Sequence, residues 1–359
     1  MATLLVVATY LLQFLLSGAK VFHLMPAFKV YRGWEPIETI PVEFQYDLEA
    51  ILPNIVGALI LGSPIEEPDS IMLRYQAVAF LFVLVVALVG VWLRKITPVG
   101  LMLLFVMGQI AKVNLAWIGK PDLFLLGFLL LAVWFSGRPV TFLFGFLAAL
   151  SHPVIGVLAC FVMAAATFAF PGERARRGRR EWLSLGWAPA GAIVGLLVGS
   201  VFLSLRFPTM AGRTAWAEHA GNALYLNVVP NVLAFAVVAL LPLLPFYLLV
   251  REGQGPSRGS GLAVRWAVLL VAAAGCFVAA AFFALDHSRV LALLAFPLVA
   301  LAVVAYGPAL NREFRRRPVL ATYLLLVVMA VPALVMDGWL GFTHKEFEAW
   351  LVTLGRIEF

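Results

Sequence analysis

The chain has 359 residues, of which 63% are hydrophobic and 13% charged, and it carries a formal net charge of +7. A soluble chain carries about 25% charged residues and shows polar faces on its helices, so the long apolar runs here exclude a soluble globular enzyme. The basic residues sit in short clusters between those runs, which argues against a nucleic acid partner and fits the charge bias that orients membrane proteins.

One crossing of the hydrocarbon layer takes about 20 apolar residues. Runs of that kind lie at 3–19, 74–93, 97–116, 122–136, 184–205, 227–250, 266–285, 290–307 and 318–336. Residues 3–19 lack a charged leading region and a small-residue cleavage site, so they read as a first span rather than a leader. Residues 20–73 then form a first external loop. Within it, 48–62 (LEAILPNIVGALILG) is apolar but short and interrupted by Pro53, which predicts a segment lying in the interface.

Basic clusters at Arg94-Lys95, Arg138, Arg174 to Arg180, Arg251 to Arg265 and Arg312 to Arg317 set the cytoplasmic side. Between Arg138 and Arg174, residues 139–170 would make about 48 Å of helix, too little for two full crossings. Ser151-His152-Pro153 interrupts this stretch, and proline removes a helical hydrogen bond. Two short helices, 140–151 and 154–170, are therefore expected to meet at His152. Gly191, Gly195 and Gly199 recur at the four-residue spacing that lets helices approach closely. The closing segment, 339–359, reads as an external amphipathic helix.

The result is an all-α, polytopic integral membrane protein with about 10–11 transmembrane segments, forming one membrane domain over 1–359. The expected location is a bacterial inner or plasma membrane, with the N-terminus cytoplasmic and the C-terminus extracytoplasmic. Cys160 and Cys276 both lie in apolar runs and form no metal-binding or disulfide pattern.

Polar groups at membrane depth are costly and mark candidate sites. Three constellations qualify, and all face outward in this topology. Gly119-Lys120-Pro121-Asp122 is good turn chemistry, in which Asp122 is suited either to capping the next helix or to serving as an active-site carboxylate. His152 must find a partner or stay neutral, as a structural histidine or as a proton-transferring one. Asp286-His287-Ser288-Arg289 stands between two apolar runs, and Arg289 suits bidentate phosphate recognition. In the acidic first loop, Asp47 enters the apolar 48–62 segment behind Phe44 and Tyr46, where a carboxylate is placed to act as a general base. No zinc-protease, nucleophile-elbow or phosphate-loop motif is present.

Over residues 119–205 the layout is an outward acidic turn, a span, Gly137-Arg138-Pro139, FLFGFLAALSHPVIGVLACFVMAAA, an arginine-rich loop and a further span. This order resembles the membrane glycosyltransferases of the GT-C superfamily. The resemblance implies an extracytoplasmic site, a polyprenyl-phosphate-linked sugar as donor and a carboxylate base in the first external loop. Asp47 takes that place here, although no Asp-Glu or Asp-Asp pair follows the first span. By this reading Asp47, Asp122 and His152 are the catalytic candidates. Lys120, Asp286, His287 and Arg289 are the substrate-binding ones. No metal site is expected, and a divalent cation is the one cofactor left open.

Two alternatives stand beside the transferase. One is a non-catalytic membrane protein, either a transporter or a lipid- or partner-binding subunit of a membrane complex; homo-oligomerisation is open in both cases. The other is a membrane acyltransferase using His152 or His287 as base.

Overall fold

The computed structural model describes residues 24–106, 118–169, 186–211 and 287–323, with a few short further stretches that include 336–337 and 341–342. The described residues are helical apart from a two-residue antiparallel pairing of β1 (Met336–Asp337) with β2 (Gly341–Phe342). In chain order the helices are α1 (Met25–Arg32), α2 (Ile51–Ile60), α3 (Pro68–Trp92), α4 (Pro98–Val106) and α5 (Asp122–Trp134). They continue with α6 (Thr141–Ser151), α7 (Pro153–Ala169), α8 (Trp187–Arg206) and α9 (His287–Arg316). Two short 3₁₀ helices, Ile37–Thr39 and Val42–Glu49, lie between α1 and α2. The chain packs as two compact units, one of residues 21–89 and 117–222, the other of residues 1–20, 90–116 and 223–359.

Three described helices are long and apolar enough to cross a membrane: Pro68–Trp92, Trp187–Arg206 and Arg289–Arg316 within α9. The chain is thus helical, and its apolar helices fit a membrane-associated protein. The expected spans at 3–19, 227–250 and 266–285, and most of 318–336, lie largely outside the described residues, as do the second half of 97–116 and the segment 339–359 apart from Gly341–Phe342.

In the first unit, α5 is 13 residues long, about 20 Å, and every residue but Leu131 is buried. An all-apolar helix buried all round is a core element, so the run at 122–136 forms the centre of this unit. Trp134 closes its end, 1% exposed, with Nε1 donating to the Val86 carbonyl of α3 at 3.0 Å. Replacing Trp134 by Phe removes this bond but leaves the Val86 carbonyl its partner within α3, so a loss of about 0.5–1.5 kcal/mol is expected, read as a lower thermal midpoint in detergent. By contrast α3 and α8 are buried over only 39% of their most apolar windows. Leu73, Leu81 and Leu88 on α3, and Leu197, Val201 and Leu205 on α8, are all exposed. Apolar faces of this extent mark membrane or protein contact surfaces.

The break at His152 is where the sequence puts it. Helix α6 ends at Ser151, His152 is extended at φ −154° and ψ 98°, and Pro153 starts α7. A residue before proline is pushed out of the helical region. Helix α8 packs against α6 through the glycines of its small-residue stripe.

Residues 20–73, read from the sequence as an external loop with an interfacial segment, contain α1, α2 and the two 3₁₀ helices, and α2 covers most of the apolar 48–62 stretch. From Leu24 to Ile60 the chain is a set of short helices with their own core, in which Ala27, Val30, Ile37, Ile40, Leu48 and Ile51 gather around Leu203 and Phe207 from the end of α8. Gly33 closes α1 in the left-handed conformation at φ 73°, where glycine carries no Cβ penalty. Two ion pairs lie in and beside this region, Lys29 with Glu35 at 2.8 Å and Arg74 with Glu66. Pro53 does not interrupt the apolar segment either. It sits in the first turn of α2, where no intrahelical N–H bond is lost.

In the second unit, α9 runs for 30 residues, about 45 Å, with Pro297 and Pro308 inside it. The sequence places Arg312 to Arg317 in a connection between spans, whereas Arg312, Arg315 and Arg316 belong to the helix itself. Arginine is a good helix former, and cations are favoured at a helix C-terminus. Helix α9 lies against α4, where a Cβ on Gly100 would stand 3.1 Å from Val303 and one on Gly307 would stand 3.3 Å from Thr97.

Candidate active site

The polar groups of the first unit collect where the segment ahead of α2 meets the turn ahead of α5. Gly119 takes φ +93°, open to glycine at no steric cost, and its N–H donates to the Gln76 side-chain oxygen of α3 at 3.1 Å. This turn directs Lys120 inward. The side chain is 8% exposed at residue level, and Nζ lies 3.5 Å from Oδ1 of Asp47. Lysine is almost never buried without such a partner. Two residues of the candidate set, distant in sequence, are thus brought together.

Asp122 follows, with 0% exposure. The helix cap position falls on Pro121, and Asp122 is the first helical residue. Asp122 is therefore not the cap that the turn chemistry allowed. Its carboxylate lies in the first turn, where the helix dipole favours negative charge, and it is close enough to Tyr75 for its charge to act on that hydroxyl.

Asp47 is held from below. The Asn54 side chain in α2 donates from Nδ2 to the Asp47 backbone carbonyl at 2.8 Å. Tyr31 of α1 donates its hydroxyl to the neighbouring Leu48 carbonyl at 2.7 Å. Burial pushes the Tyr31 phenol well above its ordinary value, against the pull of the Asn54 amide and the Arg206 charge, so it stays a neutral donor throughout the physiological range. Two buried polar atoms here, Asn54 Oδ1 and the Tyr75 hydroxyl oxygen, have no hydrogen-bond partner among the described residues. Each costs about 1–3 kcal/mol when left unsatisfied, which marks the cluster as a place where a polar ligand group or water belongs.

Sequence reasoning singled out Asp47, Lys120 and Asp122 but passed over Asn54, Tyr75 and Gln76. The signal was present: Asn54 is a lone amide in an apolar run, and Gln76 opens the apolar stretch of α3. His152 belongs to the same unit, half-buried at the α6–α7 corner. Arg289 is in the other unit, 7% exposed in the first turn of α9. His287 opens that helix, and Asp286 lies outside the described residues. Among the described residues no three His, Cys, Asp or Glu side chains group as a metal site.

What the cluster offers chemically is a carboxylate and an ammonium facing each other in a poorly hydrated setting, beside a second, fully buried carboxylate. At 3.5 Å the Asp47–Lys120 separation is longer than a tight charge-assisted hydrogen bond of about 2.7–2.9 Å. No family model, no curated protein and no solved structure matches this chain.

Proposed function

We propose that the chain is a polytopic inner- or plasma-membrane protein with an extracytoplasmic site, acting as a GT-C-like glycosyltransferase on a lipid-phosphate-linked sugar. The observation that carries the reading is the approach of Asp47, ahead of α2, to Lys120 in the Lys-Pro-Asp turn. A carboxylate base and a phosphate-binding cation are the two charges that glycosyl transfer from a lipid phosphate requires.

In this reading an acceptor hydroxyl gives its proton to Asp47 as its oxygen attacks the anomeric carbon. The bond from that carbon to the phosphate oxygen breaks, and the phosphate leaves with the electron pair. Lys120 offsets the charge that develops on it, and the preorganised cation acts strongly because the site is water-poor. Arg289 and His287 stay phosphate-binding candidates by residue type.

The membrane placement has its own support. Exposed Trp92 ends α3 just before Arg94-Lys95, and exposed Trp187 opens α8 just after the arginine-rich loop. Tryptophan favours the interface and basic residues favour the cytoplasmic side. Alkaline carbonate extraction should leave the full chain in the membrane pellet. Single cysteines placed at residues 95 and 178 should be shielded from an impermeant thiol reagent in intact cells. Release by carbonate, or labelling at both positions, overturns the topology. The transferase reading is tested by transfer of labelled sugar from a polyprenyl-phosphate donor in membranes, with the Asp47→Asn variant as the decisive arm.

A further inference from the structure

The second unit carries a concentration of positive charge that the proposed reaction does not use. Two stretches distant in sequence build it. Helices α4 and α9 meet with Gly100 against Val303 and Gly307 against Thr97, so they run antiparallel. The chain ahead of α4 therefore arrives beside the end of α9, and Arg94 and Lys95 fall at the same end of the pair as Arg312, Arg315 and Arg316. From Gly307 to Arg316 is about 13 Å of helix.

Arg312, Arg315 and Arg316 are spaced to share one helix face, where like charges repel. All three are exposed, as is Arg94. Glu313 is the one carboxylate within 90–106 and 287–323. It is buried, and Arg317 lies 3.9 Å from it. Among the described residues Arg94, Arg312, Arg315 and Arg316 form no ion pair. Beside these arginines the surface turns apolar. A recess of about 550 Å³ lies just past α9, lined by Arg317, Pro318, Val319, Leu320 and Tyr323. Val319, Leu320 and Tyr323 are exposed, and so is Trp92, two residues ahead of Arg94.

We propose that this end of the second unit binds an anionic phospholipid of the cytoplasmic leaflet, with its phosphate held by Arg94 and the Arg312–Arg315–Arg316 face and its acyl region against Val319 and Leu320. The arginine fork matches phosphate oxygens bidentately, and basic clusters directly cytoplasmic of a span attract anionic lipids. The apolar margin selects a lipid over an acidic protein segment. Orienting the chain needs the charges only on one side of the membrane, not gathered from two segments at one helix end. The proposal rests on the membrane placement above, with residue 95 cytoplasmic, and not on the transferase reading. Carbonate extraction and cysteine labelling report on that placement separately.

The test takes the full chain from nanodiscs containing equal amounts of phosphatidylglycerol and phosphatidylcholine into detergent, washes it, and quantifies the retained lipid by mass spectrometry. Phosphatidylglycerol should be retained over phosphatidylcholine by about tenfold or more, since one arginine near a membrane surface is worth about fivefold. Arg312→Gln, Arg315→Gln and Arg316→Gln together should bring the ratio to within about twofold of unity, and Arg94→Gln alone should lower it about fivefold. Glutamine forms helix about as well as arginine, so the α9 variant should keep its fold. Arg176→Gln, Arg177→Gln and Arg179→Gln together remove as much charge from another basic cluster and should leave the ratio unchanged. An unchanged ratio in the Arg94 variant, or an equal loss in the variant at 176, 177 and 179, overturns the assignment. So does equal retention of the two lipids by the unmodified chain, which would favour an acidic protein as the partner.

Discussion

Asp47→Asn is expected to reduce sugar transfer by about 10²–10⁴-fold, the usual contribution of a positioned general base. The substitution preserves shape: the Asn54 amide still holds the residue through its backbone carbonyl. It removes the carboxylate that takes the proton and leaves the mostly buried Lys120 with one charge partner fewer. Stability should therefore fall as well, by about 1–3 kcal/mol, the cost of losing a hydrogen bond to a charged group. The two effects separate in the double variant Asp47→Asn with Lys120→Met, in which no ammonium is left to compensate. That variant should recover much of the thermal midpoint and none of the activity. Lys120→Met alone should slow transfer with retained acceptor affinity, because its charge is needed only as the phosphate leaves. Full activity in Asp47→Asn membranes removes the base assignment and, with it, the main support for the transferase reading.

The parts of the molecule that were legible in the sequence share a physical cause. Proline announces itself through sterics, so the corner at His152 is read to the residue. Glycines at intervals of four announce a close helix crossing, and Gly191, Gly195 and Gly199 all lie against neighbouring elements. What escaped was structure made of elements shorter than a membrane span. The region from Leu24 to Ile60 has acidic residues, short helices and no long apolar run, so a 20-residue hydropathy reading finds nothing there. Its fold comes from a few buried side chains such as Phe28 and Leu48, each 0% exposed, with Lys29 and Glu35 paired beside them. The candidate site was half legible for a related reason. Charged residues stand out against apolar surroundings, which brought Asp47, Lys120 and Asp122 forward. Uncharged amides and hydroxyls such as Asn54, Gln76 and Tyr75 do not stand out. Their importance appears only when burial leaves two of their polar atoms without a partner. Composition alone could not show that Asp122–Trp134 is buried at every residue but Leu131, because a lipid-facing helix and a core helix read alike.

The largest stability effect is expected at the α6–α8 crossing rather than at any charged residue. A Cβ on Gly191 would overlap the carbonyl oxygen of Phe142, and one on Gly145 would overlap that of Ala188, so each helix presses a glycine onto the backbone of the other. At Gly195 the same addition would stand 2.5 Å from the Phe146 carbonyl oxygen. Where association in a membrane depends on van der Waals contact rather than on expulsion of water, such backbone approach is the source of the packing energy. Backbone atoms cannot rotate aside as a side-chain end can, so the helices themselves must separate. Gly191→Ala and Gly145→Ala should each cost about 3 kcal/mol or more, the upper range for overpacking. That corresponds to a fall of roughly 6–12 °C in the thermal midpoint at about 2–4 °C per kcal/mol, read by tryptophan fluorescence in detergent. Gly199→Ala supplies the internal comparison. Its nearest neighbours are the mobile ends of Ile51 and Leu150 at 3.1 and 3.4 Å, so the same methyl there should cost well under half as much. Equal effects at positions 191 and 199 would mean that loss of glycine in α8, not backbone contact with α6, sets the cost.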